Sequence, residues 1–125
     1  MDIEVSNLTT EQQRAIFDLL ILAMYADGHL TSFEDEQLQK LLTAMGFIEE
    51  PARQREFDEA VTRIRPSLES IYKAKELALG LADAFTDRKQ QQQVFGAVLK
   101  IMSSDFNVTT WESTLLMELR MKFRL

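Results

Sequence analysis

The chain reads as an all-α protein, a compact six-helix bundle in a single domain over residues 1–125, with two pseudo-repeated helical hairpins (helices 1–2 and 5–6). Three observations predict this. There are only four glycines and two prolines, while Ala, Leu, Glu, Gln, Arg, Lys and Met abound, a balance that favours helix. Apolar residues recur at helical spacing, and no strand-like alternation occurs. Finally, Asp27-Gly28-His29-Leu30-Thr31-Ser32-Phe33-Glu34 returns once, as Asp105-Phe106-Asn107-Val108-Thr109-Thr110-Trp111-Glu112. Each copy joins a very apolar helix to an amphipathic one.

Residues 1–8 read as a lead-in with little to bury. Thr9 or Thr10 can cap helix 1, with Gln12 or Gln13 three residues on as in a capping box. Helix 1 runs to about Ala26. Its later half (Ile16, Phe17, then Leu19 to Met24) is apolar nearly all round, the mark of a helix at the centre of a bundle. Gly28 suits the left-handed position past the helix end. Thr31 caps helix 2 and Glu34 completes a capping box. Leu38, Leu41, Leu42 and Met45 form one buried stripe, and Gly46 stops the helix.

Pro51 fits the first turn of helix 3, where no amide hydrogen is needed, and Phe57, Ala60, Val61 and Ile64 form its buried stripe. Pro66 opens helix 4, whose inward face is Leu68, Ile71, Tyr72, Ala78, Leu79, Ala82 and Phe85. Gly80 is a mild weakness in it, or a point of close helix approach. Asp87 caps helix 5 with Gln90 in the reciprocal position, and Gln90 to Gln93 read as a solvated first turn. Thr109 caps helix 6, with Trp111, Leu115, Leu116, Leu119 and Phe123 facing inward.

Shifting the chain by 78 residues overlays its two ends without a gap. Gln12 falls on Gln90, Gln13 on Gln91, Phe17 on Phe95 and Met24 on Met102. Asp27 falls on Asp105, Thr31 on Thr109 and Glu34 on Glu112. Helices 1–2 and 5–6 therefore read as two copies of one hairpin with helices 3–4 inserted between them. Two copies are too few for a solenoid and point to a pseudo-symmetric bundle.

Composition narrows the function. Hydrophobic residues at 46% and charged residues at 27% mark an ordinary globular domain rather than a disordered one. With no cysteine, disulfides, thiolate catalysis and cysteine zinc sites are excluded. The Met-Asp-Ile-Glu start has no basic n-region, and the longest apolar run, Leu19 to Ala26, is too short to cross a bilayer. The expectation is a cytoplasmic protein with no direct membrane insertion. A net charge of −6 repels polyphosphate backbones, so no nucleic-acid partner is expected. Basic residues gather only locally: Arg53, Arg55, Arg63, Arg65, Lys73 and Lys75, then Arg120, Lys122 and Arg124, the last three suited to the dipole of a final helix. One histidine, no Ser–His–Asp arrangement and no glycine-rich phosphate loop argue against an enzyme.

The repeated motif has two readings. In the structural one, Asp27 and Asp105 bond to the turning backbone, Leu30 and Val108 staple onto the next helix, and the Thr–Glu pairs satisfy its first amides. Capping boxes are commoner than metal sites, so this reading carries more weight. In the metal reading, Asp-Gly-x-Leu-x-x-x-Glu matches the latter half of an EF-hand loop. The first half fails, because the leading ligand positions hold Ala23 and Tyr25, and Ile101 and Ser103 in the second copy. Asp27, Glu34, Asp105 and Glu112 could together hold an ion if the fold joins the loops. Such an all-oxygen set prefers a hard divalent cation, calcium, magnesium or manganese. His29, the one histidine, lies in the first loop and reads as an ordinary loop residue.

Ala26 to Glu34, followed by Leu38, Leu41 and Leu42, resembles the TerB-like family, the all-helical tellurite-resistance domain also found at the start of some membrane-anchored DnaJ-type co-chaperones. The second copy, Asp105 to Glu112 with Leu115, Leu116 and Leu119, sits where that family has its second motif, so the likeness covers nearly the whole chain. The resemblance implies a compact helical fold, no catalysis, a role in stress or metal (tellurite-type) response, and a metal site at the acidic motif positions. Phe106 departs from the pattern, which has glycine there. The competing reading is a metal-free protein-interaction or homo-oligomerisation domain, for which Phe47, Ile48, Met121 and Leu125 are the candidate exposed apolar residues. On either reading a protein partner is expected.

Overall fold

In the computed structural model the backbone is described for residues 7–27, 32–102 and 110–125, and side chains for 7–25, 35–102 and 110–125. The order is α1 (Thr10–Asp27), α2 (Ser32–Ala44), α3 (Glu50–Ile64), a 3-10 turn (Arg65–Glu69), α4 (Ile71–Ala82), α5 (Arg88–Met102) and α6 (Thr110–Phe123). Among the described residues there is no strand, and the six helices pack together as expected.

Helix α1 is the axis. Every residue from Ala15 to Met24 is buried, on all sides of the helix, and α1 packs against each of the other five helices. Around it close Leu38, Leu41 and Leu42 of α2, Ala60, Val61 and Ile64 of α3, and Val94, Ala97, Val98, Ile101 and Met102 of α5. Helix α6 adds Leu115, Leu119 and Phe123. Helix α4 turns Ala74, Ala78 and Ala82 inward, small side chains that suit close packing on α1 and α6.

The helix ends follow the local chemistry of the sequence. Thr9 caps α1 in a reciprocal box: the Gln12 amide donates to Thr9 Oγ1 at 3.1 Å, and the Thr9 amide donates to Gln12 Oε1 at 3.0 Å. Gly46, at φ +106°, ends α2, and the Phe47 amide donates back to the Leu42 carbonyl at 3.0 Å. At the end of α6 Arg124 takes the left-handed conformation (φ 57°), and the Leu125 amide donates to the Arg120 carbonyl. Arg88 at the start of α5 donates to the Phe123 carbonyl at 2.5 Å, which neutralises that negative helix end.

Several details differ from expectation. Leu8, in the supposed lead-in, is buried in the core. Pro66 starts the 3-10 turn rather than α4; Ser70, in extended conformation, caps α4 by accepting from the Lys73 amide. The later start turns Tyr72 outward, 75% exposed instead of buried. A Cβ at Gly80 would meet nothing within 4 Å, so no helix comes close there and the glycine is only a local weakness.

The glutamine run is not simply solvated. Asp87 does cap α5, accepting from the Gln90 amide at 3.1 Å. The Gln90 side chain, however, accepts from Gln12 Nε2 at 3.3 Å, and Gln91 Nε2 donates to the Phe85 carbonyl at 2.9 Å. Gln12 Nε2 also reaches the Ala84 carbonyl at 2.9 Å, so the starts of α1 and α5 are joined to each other and to the α4–α5 connection. Gln12→Ala is therefore expected to cost about 1–2 kcal/mol in urea unfolding, a cap plus cross-helix bonds, whereas Gln92→Ala on the exposed face stays within about 0.5 kcal/mol.

Candidate functional site

The repeated motif falls between α1 and α2 and, in its second copy, between α5 and α6. Helix α1 runs through Asp27, and α2 starts at Ser32, one residue after the expected cap Thr31. Ala23 is buried and Tyr25 is 40% exposed, both within α1, so the first half of an EF-hand loop is absent, as the sequence implied. The side chains of Asp27, Glu34 and Asp105, with Gly28, His29, Thr31, Phe106, Asn107 and Thr109, lie outside the described residues. The candidate ligand inside them is Glu112. It sits in the first turn of α6 and is completely buried, at 0% exposure.

Charged groups are rarely fully buried unless they are paired or hydrogen-bonded, and Glu112 is not without a partner in the fold. It benefits from the positive end of α6. Oxygen ligands of this kind suit a hard divalent ion. Among the described residues no group of three or more His, Cys, Asp or Glu side chains comes together to hold a metal.

A second polar feature was not foreseen. Asp18 interrupts the apolar run of α1 and is 5% exposed. Arg63 of α3 crosses to it with both arms, Nε donating to Oδ2 at 3.1 Å and Nη2 to Oδ1 at 2.8 Å. The hydrogen bond to Asp18 raises the Arg63 pKa above the ordinary arginine value, with burial opposing it and Glu56 and Glu59 adding to it. The sequence did carry a signal for this pair, a single carboxylate inside an otherwise apolar stretch, but its partner lies 45 residues away.

Beside the pair a cavity of about 290 Å³ is lined by Glu11, Arg14, Ala15, Asp18 and Arg63, together with Gly80, Leu81, Asp83 and Ala84. A smaller one of about 130 Å³ lies between α1 and α3, over Phe17, Met45 and Phe47.

Several of the clustered basic residues are already engaged. Arg53 donates to Gln39 and to the Phe47 and Ile48 carbonyls. Lys73 pairs with Glu69, Lys75 with Glu118 and Lys122 with Asp83. Lys73 holds the exposed Glu69 carboxyl below its usual range. No described helix is long and apolar enough to cross a membrane. Of the candidate apolar contacts, Ile48 and Met121 are exposed, at 64% and 67%, while Phe47 and Leu125 pack against the core.

Comparison with known proteins adds no relative: no family model, no curated protein and no solved structure matches the chain.

Proposed function

We propose that the chain is a non-enzymatic, TerB-like binding module of the cytoplasm, in which the motif carboxylates Asp27, Glu34, Asp105 and Glu112 hold a hard divalent cation and present the domain to a protein partner in a stress or metal (tellurite-type) response. The observation that carries this reading is the complete burial of Glu112 at the start of α6. Calcium, magnesium or manganese would take such a carboxylate oxygen as one of its ligands.

The reading needs both motif loops within reach of one ion. It is supported by a repeat of the α1–α2 hairpin as α5–α6. Gln12 and Gln90, equivalent under the 78-residue shift, bond to each other. The caps Thr9 and Asp87 occupy equivalent positions, and Gln13 and Gln91 each donate backward to a carbonyl preceding their own helix. Burial is shared at Leu20 and Val98, Met24 and Met102, and Leu41 and Leu119. It diverges at Ile21, which is buried, and Leu99, 42% exposed, because α1 is central and α5 peripheral.

Thermal unfolding with chelator, and then with each ion, tests the proposal. A bound ion at about 100 times its dissociation constant adds about 2–3 kcal/mol, a rise of roughly 10 °C for a domain of this size. That rise is expected to vanish in Glu34→Gln and Glu112→Gln, each measured against its own chelated state. If no ion moves the midpoint at millimolar levels, the four residues are helix caps. The exposed apolar residues Ile48, Tyr72, Met117 and Met121 then favour a metal-free protein-interaction or homo-oligomerisation domain.

A further inference from the structure

Arg63 lines three depressions on one side of the molecule. These are the two cavities beside α1 and a third of about 370 Å³ along α3, over Asp58, Glu59 and Thr62. Arg14 lines both of the first two. Together they make a groove whose accessible apolar ground is Met45, Phe47, Leu81 and Ala84. Its polar lining is strongly one-sided. Glu11, Asp18, Asp83, Glu56, Asp58 and Glu59 line it, against Arg14 and Arg63. Asp18 and Arg63 satisfy each other and Lys122 pairs with Asp83, which leaves Glu11, Glu56, Asp58 and Glu59 as an acidic excess on the rim with Arg14 among them.

We propose that this groove docks an extended segment of a protein partner in which basic side chains alternate with apolar ones. Charge complementarity selects the partner. The rim attracts lysine and arginine, and it repels both nucleic acid and a second copy of a chain whose net charge is −6. The apolar ground gives the intervening side chains a place to anchor, which a purely charged ligand cannot use. The three depressions are spread along the two helices, which suits an extended segment rather than a single ion. This docking site lies on α1 and α3 with the end of α4 and the segment after α2, and does not depend on a cation in the repeated motif.

The test is fluorescence anisotropy with the full chain and three labelled peptides of equal length. One alternates arginine with leucine, one alternates arginine with serine, and one alternates glutamate with leucine. The arginine–leucine peptide is expected to bind, and to weaken as salt rises from about 50 to about 300 mM. The arginine–serine peptide should bind about tenfold more weakly, having lost its apolar anchors, and the glutamate peptide not measurably. The variant Glu11→Gln/Glu56→Gln/Glu59→Gln changes only residues outside the core, so it keeps its helix content by circular dichroism. It is expected to lose about tenfold in affinity for the arginine–leucine peptide. Asp35→Asn/Glu36→Gln/Glu76→Gln, which removes the same charge from other exposed sites, should bind like the parent. Equal loss in the two triple variants, equal binding of the leucine and serine peptides, or no binding of the arginine–leucine peptide overturns the proposal.

Discussion

Arg63→Met is expected to lower the free energy of unfolding by about 3–5 kcal/mol, and Asp18→Asn by only about 1–2 kcal/mol. The asymmetry follows from where the two charges sit. The Asp18 side chain is 7% exposed and the Arg63 side chain 35%. Removing the guanidinium strands a carboxylate that is only 7% exposed among the apolar residues of α1, where the neighbouring cavity hydrates it poorly. Removing the carboxylate charge leaves an amide oxygen that still accepts, and a guanidinium that can turn outward and rehydrate. The double variant Asp18→Leu/Arg63→Met buries no charge and is expected to recover most of the loss. Adding Asp18→Leu alone closes the cycle, and urea unfolding of the parent, Asp18→Leu, Arg63→Met and the double variant at neutral pH then gives the coupling energy. Two single variants of equal cost would show that exposure does not set the price of breaking this pair.

The pH dependence of that coupling has a definite sign. Arg63 has a raised pKa in the folded state, chiefly through its hydrogen bond to Asp18. A raised group contributes fully below its unfolded-state value and loses its contribution only as pH climbs through the folded value. Arginine's ordinary value is already strongly alkaline. The contribution of Arg63 is therefore constant between about pH 6 and about pH 9. A coupling energy that fell across that range would mean that some other titrating group holds α1 to α3.

What the sequence made legible was decided by local chemistry. Thr9 with Gln12, Asp87 with the Gln90 amide, and the left-handed Gly46 all depend on residues within a few positions of one another. The central place of α1 was legible for a different reason. A helix apolar on every side has no face to give to water, so it must be surrounded. The misses were tertiary. Pro66 could have opened α4, but Ser70 offered a better cap, and the 3-10 turn between them rotated Tyr72 outward. Gln90 and Gln91 look solvated in a polar run, and only the approach of α1 and the α4–α5 connection gives them partners. The pairing of Asp18 with Arg63 needs α1 and α3 side by side, which no short-range pattern encodes. Of the candidate metal site, the sequence singled out Glu112 as a cap or a ligand but did not foretell its complete burial. Capping and ion binding ask for the same residue types at the same spacing.

Leu20→Ala carries the other large effect, an expected loss of about 2–5 kcal/mol. Leu20 is 0% exposed near the middle of α1, with Ile16 and Ile21, equally inaccessible, on the same helix. Truncation removes the transfer energy of its methyl and methylene groups and leaves a void. The surrounding helices are held by their own packing and cannot all close on it, so the cost lies toward the upper part of the range. Since a domain of this kind has only about 5–15 kcal/mol of stability, such a loss is visible as a large drop in the denaturant midpoint with an unchanged slope. Tyr72→Ala and Met121→Ala, at 75% and 67% exposed positions, are expected to stay within about 0.5 kcal/mol. The contrast bears on the architecture as well as on the residue. If Leu20→Ala cost no more than Tyr72→Ala, α1 would have an open face, and neither the buried Asp18–Arg63 pair nor the groove above it could be arranged as described.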